Sequence, residues 1–139
     1  MFEQSLLTLP VNGKPTELVV TGGKTAIFDA MDRATGKYVF SRDLGLQNIV
    51  TAIDPVTGEE TTNPALEPEP GKTKLLCPNA NGARNWPTTA FDPASYILYV
   101  PRVETCADYS WTPRSPGQIA AGGDDIHLFW PAAAPRQRR

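Results

Sequence analysis

The chain is poor in the side chains that most enzymes use for nucleophilic and acid–base work. It holds one histidine, His127, and two cysteines, Cys77 and Cys106. No nucleophile stands in sequence beside His127, so nothing argues for a standalone hydrolase. The acidic pair Asp124-Asp125 before it reads as a strand cap. The two cysteines and one histidine match no zinc spacing. The cysteines leave two readings: a disulfide that closes a loop in an oxidising compartment, worth ~3 kcal/mol, or two unpaired thiols. Long apolar runs are also missing, since none approaches the ~18–20 residues needed to cross a bilayer. Met1 to Pro10 has no basic segment and carries Glu3, so it does not read as a signal peptide. The expectation is either a cytoplasmic protein or an internal segment of something longer. Nor is there a surplus of charge of one sign. Thirteen basic and 15 acidic residues leave a formal net charge of −2, which gives no electrostatic reason to expect nucleic acid or an anionic membrane as partner. No amphipathic helix of three turns or more is visible.

What the chain does have is punctuation. Its 139 residues include 14 prolines and 11 glycines, and 40% are hydrophobic. That suits short strands joined by many turns around a modest core. Glu17 to Val20 and Thr25 to Phe28 read as strands, and Lys37 to Ser41 as the strand returning from a hairpin at Asp32-Arg-Ala-Thr-Gly36. The pattern recurs. Ile49 to Ile53 leads into Asp54-Pro-Val-Thr-Gly58, and Thr88 to Phe91 leads into Asp92-Pro-Ala-Ser-Tyr96. Each aspartate can bond turn amides, and glycine supplies positive φ. Three strand–Asp–turn–strand copies at uneven intervals fit repeated hairpins carrying long loops. Asn63 to Lys74 is polar and proline-rich and reads as a loop, and Leu75 to Pro87 reads as irregular. Tyr96 to Pro101 is the clearest strand, and Asp125 to Trp130 a plausible last one. The basic tail 131–139 reads as a disordered, solvated end.

Two runs resemble one family. Lys24 to Lys37 (KTAIFDAMDRATGK) resembles a blade segment of the pyrroloquinoline quinone (PQQ)-dependent alcohol dehydrogenases. Asn81 to Pro101 (NGARNWPTTAFDPASYILYVP) resembles that family's segment around an Asn-Trp pair, and Glu104 to Tyr109 continues the likeness. The resemblance spans roughly residues 3 to 115, with a departure at Ala26, where the family usually has glycine. It implies an all-β fold: about two blades of an eight-bladed quinoprotein β-propeller. The division it suggests is a partial propeller over 1–130, with one blade near 1–58, a loop at 59–83 and a second blade near 84–130.

The activity implied is oxidation of a primary or secondary alcohol by hydride transfer to the quinone, with electrons passing to a cytochrome c. The implied cofactors are PQQ and calcium, and the implied compartment is the periplasm, where a disulfide between Cys77 and Cys106 is favoured. By the resemblance, Lys24 contacts the quinone oxygens, and Asn85 and Trp86 lie beside the cofactor. Arg84 could face the cofactor's carboxylates, though an arginine next to a loop is ordinarily solvated. Asp32 and Arg33 read as a structural turn clamp, Asp29 as non-catalytic, and Trp111 and Trp130 as packing between blades.

The resemblance places the family's catalytic aspartate and calcium ligands upstream of the matched region, and its stacking tryptophan is absent from that region. The expectation is therefore a chain that carries one flank of a cofactor site and turns nothing over alone. With sheet faces and edges uncovered, it should be marginally stable, self-associating or dependent on missing parts. The competing reading is a non-catalytic propeller-derived module for binding or self-association.

Overall fold

The computed structural model describes residues 3–111 and, for the last strand, the backbone of residues 126–129. The side chains of Trp111 and His127, the residues Asp124, Asp125 and Trp130, and the tail 131–139 lie outside the described residues. Every regular element is a strand except one turn of 3-10 helix at Pro64–Leu66. The all-β expectation therefore holds.

The first four strands form an antiparallel meander in chain order: β1 (Gln4–Val11), β2 (Lys14–Gly22), β3 (Ile27–Asp32) and β4 (Tyr38–Asp43). Asn12 and Gly13 both take positive φ, +50° and +76°. That is the geometry a two-residue hairpin between twisted strands demands. Period-two alternation then puts one set of side chains on one face. Leu7 pairs across from Leu18, and Val20 from Ala30. These four and Phe28 form the buried core. Burial of a side chain such as Leu18, which has no exposed surface, contributes ~1.5–3 kcal/mol. A bulge between Ala30 and Met31 shifts the β3–β4 register.

Beyond this sheet the strands are short. β5 (Val50–Ile53) pairs with β6 (Glu60–Thr62), and β8 (Ala90–Asp92) with β9 (Ile97–Tyr99). β7 (Thr73–Leu76), β10 (Ala107–Trp111) and β11 (Ile126–Phe129) form a sheet with β10 in the centre. β6 and β7 fall within the stretch 59–83 that reads as loop in sequence. Phe91 and Leu98 from the β8–β9 hairpin pack against the first sheet's core, which ties a distant part of the chain to it.

The repeated aspartates explain themselves locally. Asp32 Oδ1 accepts from the amides of Ala34 and Thr35, at 3.1 and 2.8 Å, and from the Thr35 hydroxyl at 2.7 Å. Asp54 Oδ1 accepts from the amides of Val56 and Thr57, both at 2.8 Å. Asp92 accepts from the Ala94 amide at 3.0 Å and the Ser95 hydroxyl at 2.5 Å. These donors favour the charged carboxylates, so all three pKa values are lowered, Asp32 chiefly by the Thr35 hydroxyl and Asp54 by the Thr57 amide. The first two turns close on Gly36 and Gly58 at positive φ, whereas the third places Tyr96 at φ +57°. That left-handed residue belongs to the turn, and Pro101 has no amide to give a ladder. The strand expected over Tyr96 to Pro101 is accordingly only Ile97–Tyr99.

The turn clamp at Asp32 is thus structural, and Arg33 pairs with Glu17 at 2.5 Å. Asp29 accepts the Ser41 hydroxyl at 2.6 Å, also a structural contact. Ala26, the departure from the family pattern, is buried at φ +58°. Glycine reaches that backbone region freely, and alanine does so at a cost.

Candidate functional site

Lys24 follows the Gly22-Gly23 pair that ends β2. Its exposed side chain reaches across to the loop that carries Asn85. Lys24 Nζ donates to the Ala80 carbonyl at 2.6 Å, and the Lys24 carbonyl accepts from the Ala83 amide at 2.8 Å. Gly82, at φ +83°, makes the approach feasible, because a Cβ there would lie 2.7 Å from both Cβ and Cγ of Lys24. An ammonium carries three donors, so one bond to Ala80 leaves others for a ligand.

The loop is held from its other side by backbone bonds, Asn79 N–H to the Thr105 carbonyl at 3.0 Å and Val103 N–H to the Ala83 carbonyl at 2.8 Å. Within it, the Asn79 carboxamide oxygen accepts from the Asn81 amide at 2.9 Å. Half-buried Asn85 donates from Nδ2 to the Asn81 carbonyl at 3.3 Å, a long bond. Trp86 is 84% exposed, so in this chain it is not a core residue. Lys24 and Asn85 therefore bond adjacent carbonyls of one loop, those of Ala80 and Asn81, and exposed Trp86 follows Asn85 in the chain.

A cleft of 330 Å³ opens along this loop, lined by Asn79, Arg84, Asn85, Pro87, Arg102 and Val103 among others. No carboxylate stands in its lining. Two buried donors, Asn79 Nδ2 and Arg84 Nε, have no hydrogen-bond partner. Buried donors are normally paired, and an unpaired one points to a missing acceptor. With Asn85 and Arg102 the lining is rich in N–H groups, whereas Lys24 and Trp86 stand next to that lining and not in it. An acceptor-rich anion such as a quinone with several carboxylates fits that lining. Among the described residues, no group of three or more His, Cys, Asp or Glu side chains is placed to hold a metal ion.

Arg84 departs from the expectation of a solvated arginine. It is 3% exposed, and its guanidinium donates to the Gly22 carbonyl at 2.8 Å and to Glu3 at 2.7 Å. It also lies 5.4 Å from the centre of the Phe28 ring. Glu3 Oε2 takes two further bonds, from the Thr89 amide at 2.8 Å and the Thr89 hydroxyl at 2.9 Å. The Thr89 amide is the first cause of a lowered Glu3 pKa, and the Arg84 charge adds to it. Sequence reasoning misses this cluster: the partners lie 81 residues apart, and no local pattern links them.

Cys77 and Cys106 form a disulfide with a Cα–Cα distance of 4.4 Å. It sits where β7 and β10 begin to pair, next to Leu76 opposite Ala107.

No family model matches the chain. Individual relatives do. The quinohemoprotein alcohol dehydrogenase ADH-IIG of Pseudomonas putida is 29% identical over 117 residues, covering 80% of this chain and 16% of the relative. The dehydrogenase subunit of the quinone alcohol dehydrogenase of Gluconobacter oxydans is 33% identical over 101 residues, covering 70% of this chain and 13% of the relative. The solved ADH-IIG structure superposes with a TM-score of 0.73 at 28% identity, over 84% of this chain and 17% of that one. A europium-containing methanol dehydrogenase gives 0.72 at 25% identity, over 81% of this chain and 20% of that one. The short sheets are thus a part of a quinoprotein β-propeller, and this chain, which spans only 13 to 20% of the length of these relatives, is homologous to one segment of the quinoprotein alcohol dehydrogenases.

Proposed function

We propose that this chain carries one flank of a PQQ site in an alcohol-oxidising quinoprotein and does not turn over alcohol by itself. The observation that carries the reading is the convergence of Lys24 and Asn85 on the Ala80–Asn81 turn, in a segment homologous to quinoprotein alcohol dehydrogenases. Lys24 would set its ammonium against the quinone oxygens, where negative charge grows during reduction. Asn85 would donate an amide hydrogen to a carbonyl or carboxylate, and Trp86 its indole N–H. The quinone, when bound, supplies the hydride acceptor; binding and orientation are the protein's share. The metal, calcium in this reading, and the proton-accepting base would come from residues outside this chain. Electrons would leave to a cytochrome c, in keeping with the haem in one relative's name. A periplasmic setting accords with the Cys77–Cys106 disulfide.

A specific observation also favours a second reading, self-association. Leu6, Tyr96, Tyr99 and Val103 are 63, 55, 57 and 58% exposed, apolar surface that association with a second copy would remove from water.

Titration of the chain with PQQ, with and without calcium, tests the first reading. Tryptophan fluorescence and alcohol-dependent dye reduction are followed together. The expected result is saturable quenching without turnover, absent in Trp86→Phe and lost in Lys24→Ala and Asn85→Ala. Quenching that survives the Lys24 and Asn85 substitutions, or none in the unsubstituted chain, refutes the half-site. Sedimentation across a concentration series reads out self-association separately.

A further inference from the structure

Arg84 is the one buried cation among the described residues, and its contacts all run to the ends of the first sheet. Its guanidinium bonds the carbonyl of Gly22, two residues before Lys24, and the carboxylate of Glu3, one residue before β1. Glu3 in turn accepts the amide and hydroxyl of Thr89, three residues after Trp86. The Thr89 hydroxyl stands 3.2 Å from that of Ser5 in β1. The stretch from Arg84 to Thr89, which holds Asn85 and Trp86, is thereby pinned at both ends to the sheet whose β2–β3 connection carries Lys24. Gly82 packing on Lys24 and the Ala83–Lys24 backbone bond complete the junction.

We propose that the Glu3–Arg84 pair is a positioning device that fixes the loop of Asn85 and Trp86 against Lys24. As a quinone-positioning role this rests on the reading given above; as a restraint on the loop it stands alone. The physical argument is the fork. Arginine presents two parallel donors in a rigid plane, and here one goes to the strand end and the other to Glu3. Lysine offers a point charge with no fixed plane, so it cannot span the same two acceptors in the same geometry. The pair joins residues 81 apart, so removing it frees a long connection rather than a local turn.

Hydrogen exchange of the full chain, without ligand, tests the restraint. The amides of Ala83 and Val103 report the loop, and those of Val20 and Ala30 report the core. In Arg84→Met, loop exchange should quicken at least tenfold with core exchange unchanged. Arg84→Lys and Glu3→Gln should give intermediate values, and they carry the test should Arg84→Met fail to fold. PQQ affinity, measured by tryptophan quenching, should fall in the same order. Unchanged loop exchange in all three variants overturns the proposal. So does equal quickening of loop and core, which would make the pair a general stabiliser. If the unsubstituted chain binds no PQQ yet the loop loosens as described, the restraint stands and the quinone reading fails.

Discussion

Replacing Cys77 and Cys106 together by serine removes the only covalent cross-link among the described residues. The bond closes a loop with a sequence separation of 29. Chain entropy for a loop of that size amounts to about 3.6 kcal/mol of stability, exerted mainly on the unfolded state. The folded geometry has other anchors at the same place. The Cys77 amide donates to Asn48 Oδ1 at 2.9 Å, and the Asn48 amide donates to the Cys77 carbonyl at 2.9 Å. Asn48 Nδ2 also reaches the Leu75 carbonyl at 2.9 Å, and the β7–β10 ladder starts beside the bond. The substituted chain should therefore keep its fold and lose stability through the greater freedom of its unfolded form. At a urea slope of ~2 kcal/mol/M, the unfolding midpoint falls by about 1.8 M. The assay is urea unfolding followed by far-ultraviolet circular dichroism, with the unsubstituted chain under reductant as a parallel sample. A midpoint shift below ~0.5 M would refute the loop-entropy reasoning. A normal shift under reductant with no shift in the double variant would refute it too.

Two further outcomes follow from turn geometry and from titration. A Cβ at Gly58 would lie 2.4 Å from Tyr38 Cδ2, at φ +77°, whereas one at Gly36, at φ +69°, would meet nothing within 4 Å. Gly58→Ala should cost about 2–4 kcal/mol against about 1–2 for Gly36→Ala, since overpacking adds to the left-handed backbone strain. Equal melting temperatures for the two variants would show that the Tyr38 contact costs nothing. Glu3, Asp32, Asp54, Glu69 and Asp92 all have lowered pKa values, Glu69 brought to about 2 by its bonds from Lys72 and then Lys74. Their contributions are complete above the unfolded carboxylate range near pH 4 and are lost as pH falls through the folded values, because the unfolded chain binds more protons there. Glu60 works the other way: partial desolvation, reinforced by Asp29 and Asp43, raises its pKa, so its ionisation destabilises as pH rises through the folded value. Five against one, the melting temperature should drop between about pH 5 and pH 2. Glu3→Gln should flatten part of that drop, and a melting temperature independent of pH over the window would contradict the assignment.

Legibility followed sequence distance. The turns at Asp32, Asp54 and Asp92 are readable because a carboxylate and the amides it bonds lie within three residues, and local chemistry needs no tertiary partner. The strand runs of β2, β4 and β5 are readable for the same reason, as alternating or β-rich stretches between such turns. β1 is less so, with Leu6 and Leu7 adjacent and Pro10 near its end. The resemblance of two runs to a family also placed Lys24, Asn85 and Trp86 as a set worth testing. Tertiary structure alone decided that Lys24 and Asn85 share one turn of loop, that Trp86 is exposed, and that Cys77 meets Cys106. It also buried Arg84, which any local rule would leave in solvent. A buried guanidinium needs acceptors to offset its desolvation. Its acceptors here are Gly22 and Glu3, 62 and 81 residues away, and only the closing of those long connections brings them within reach.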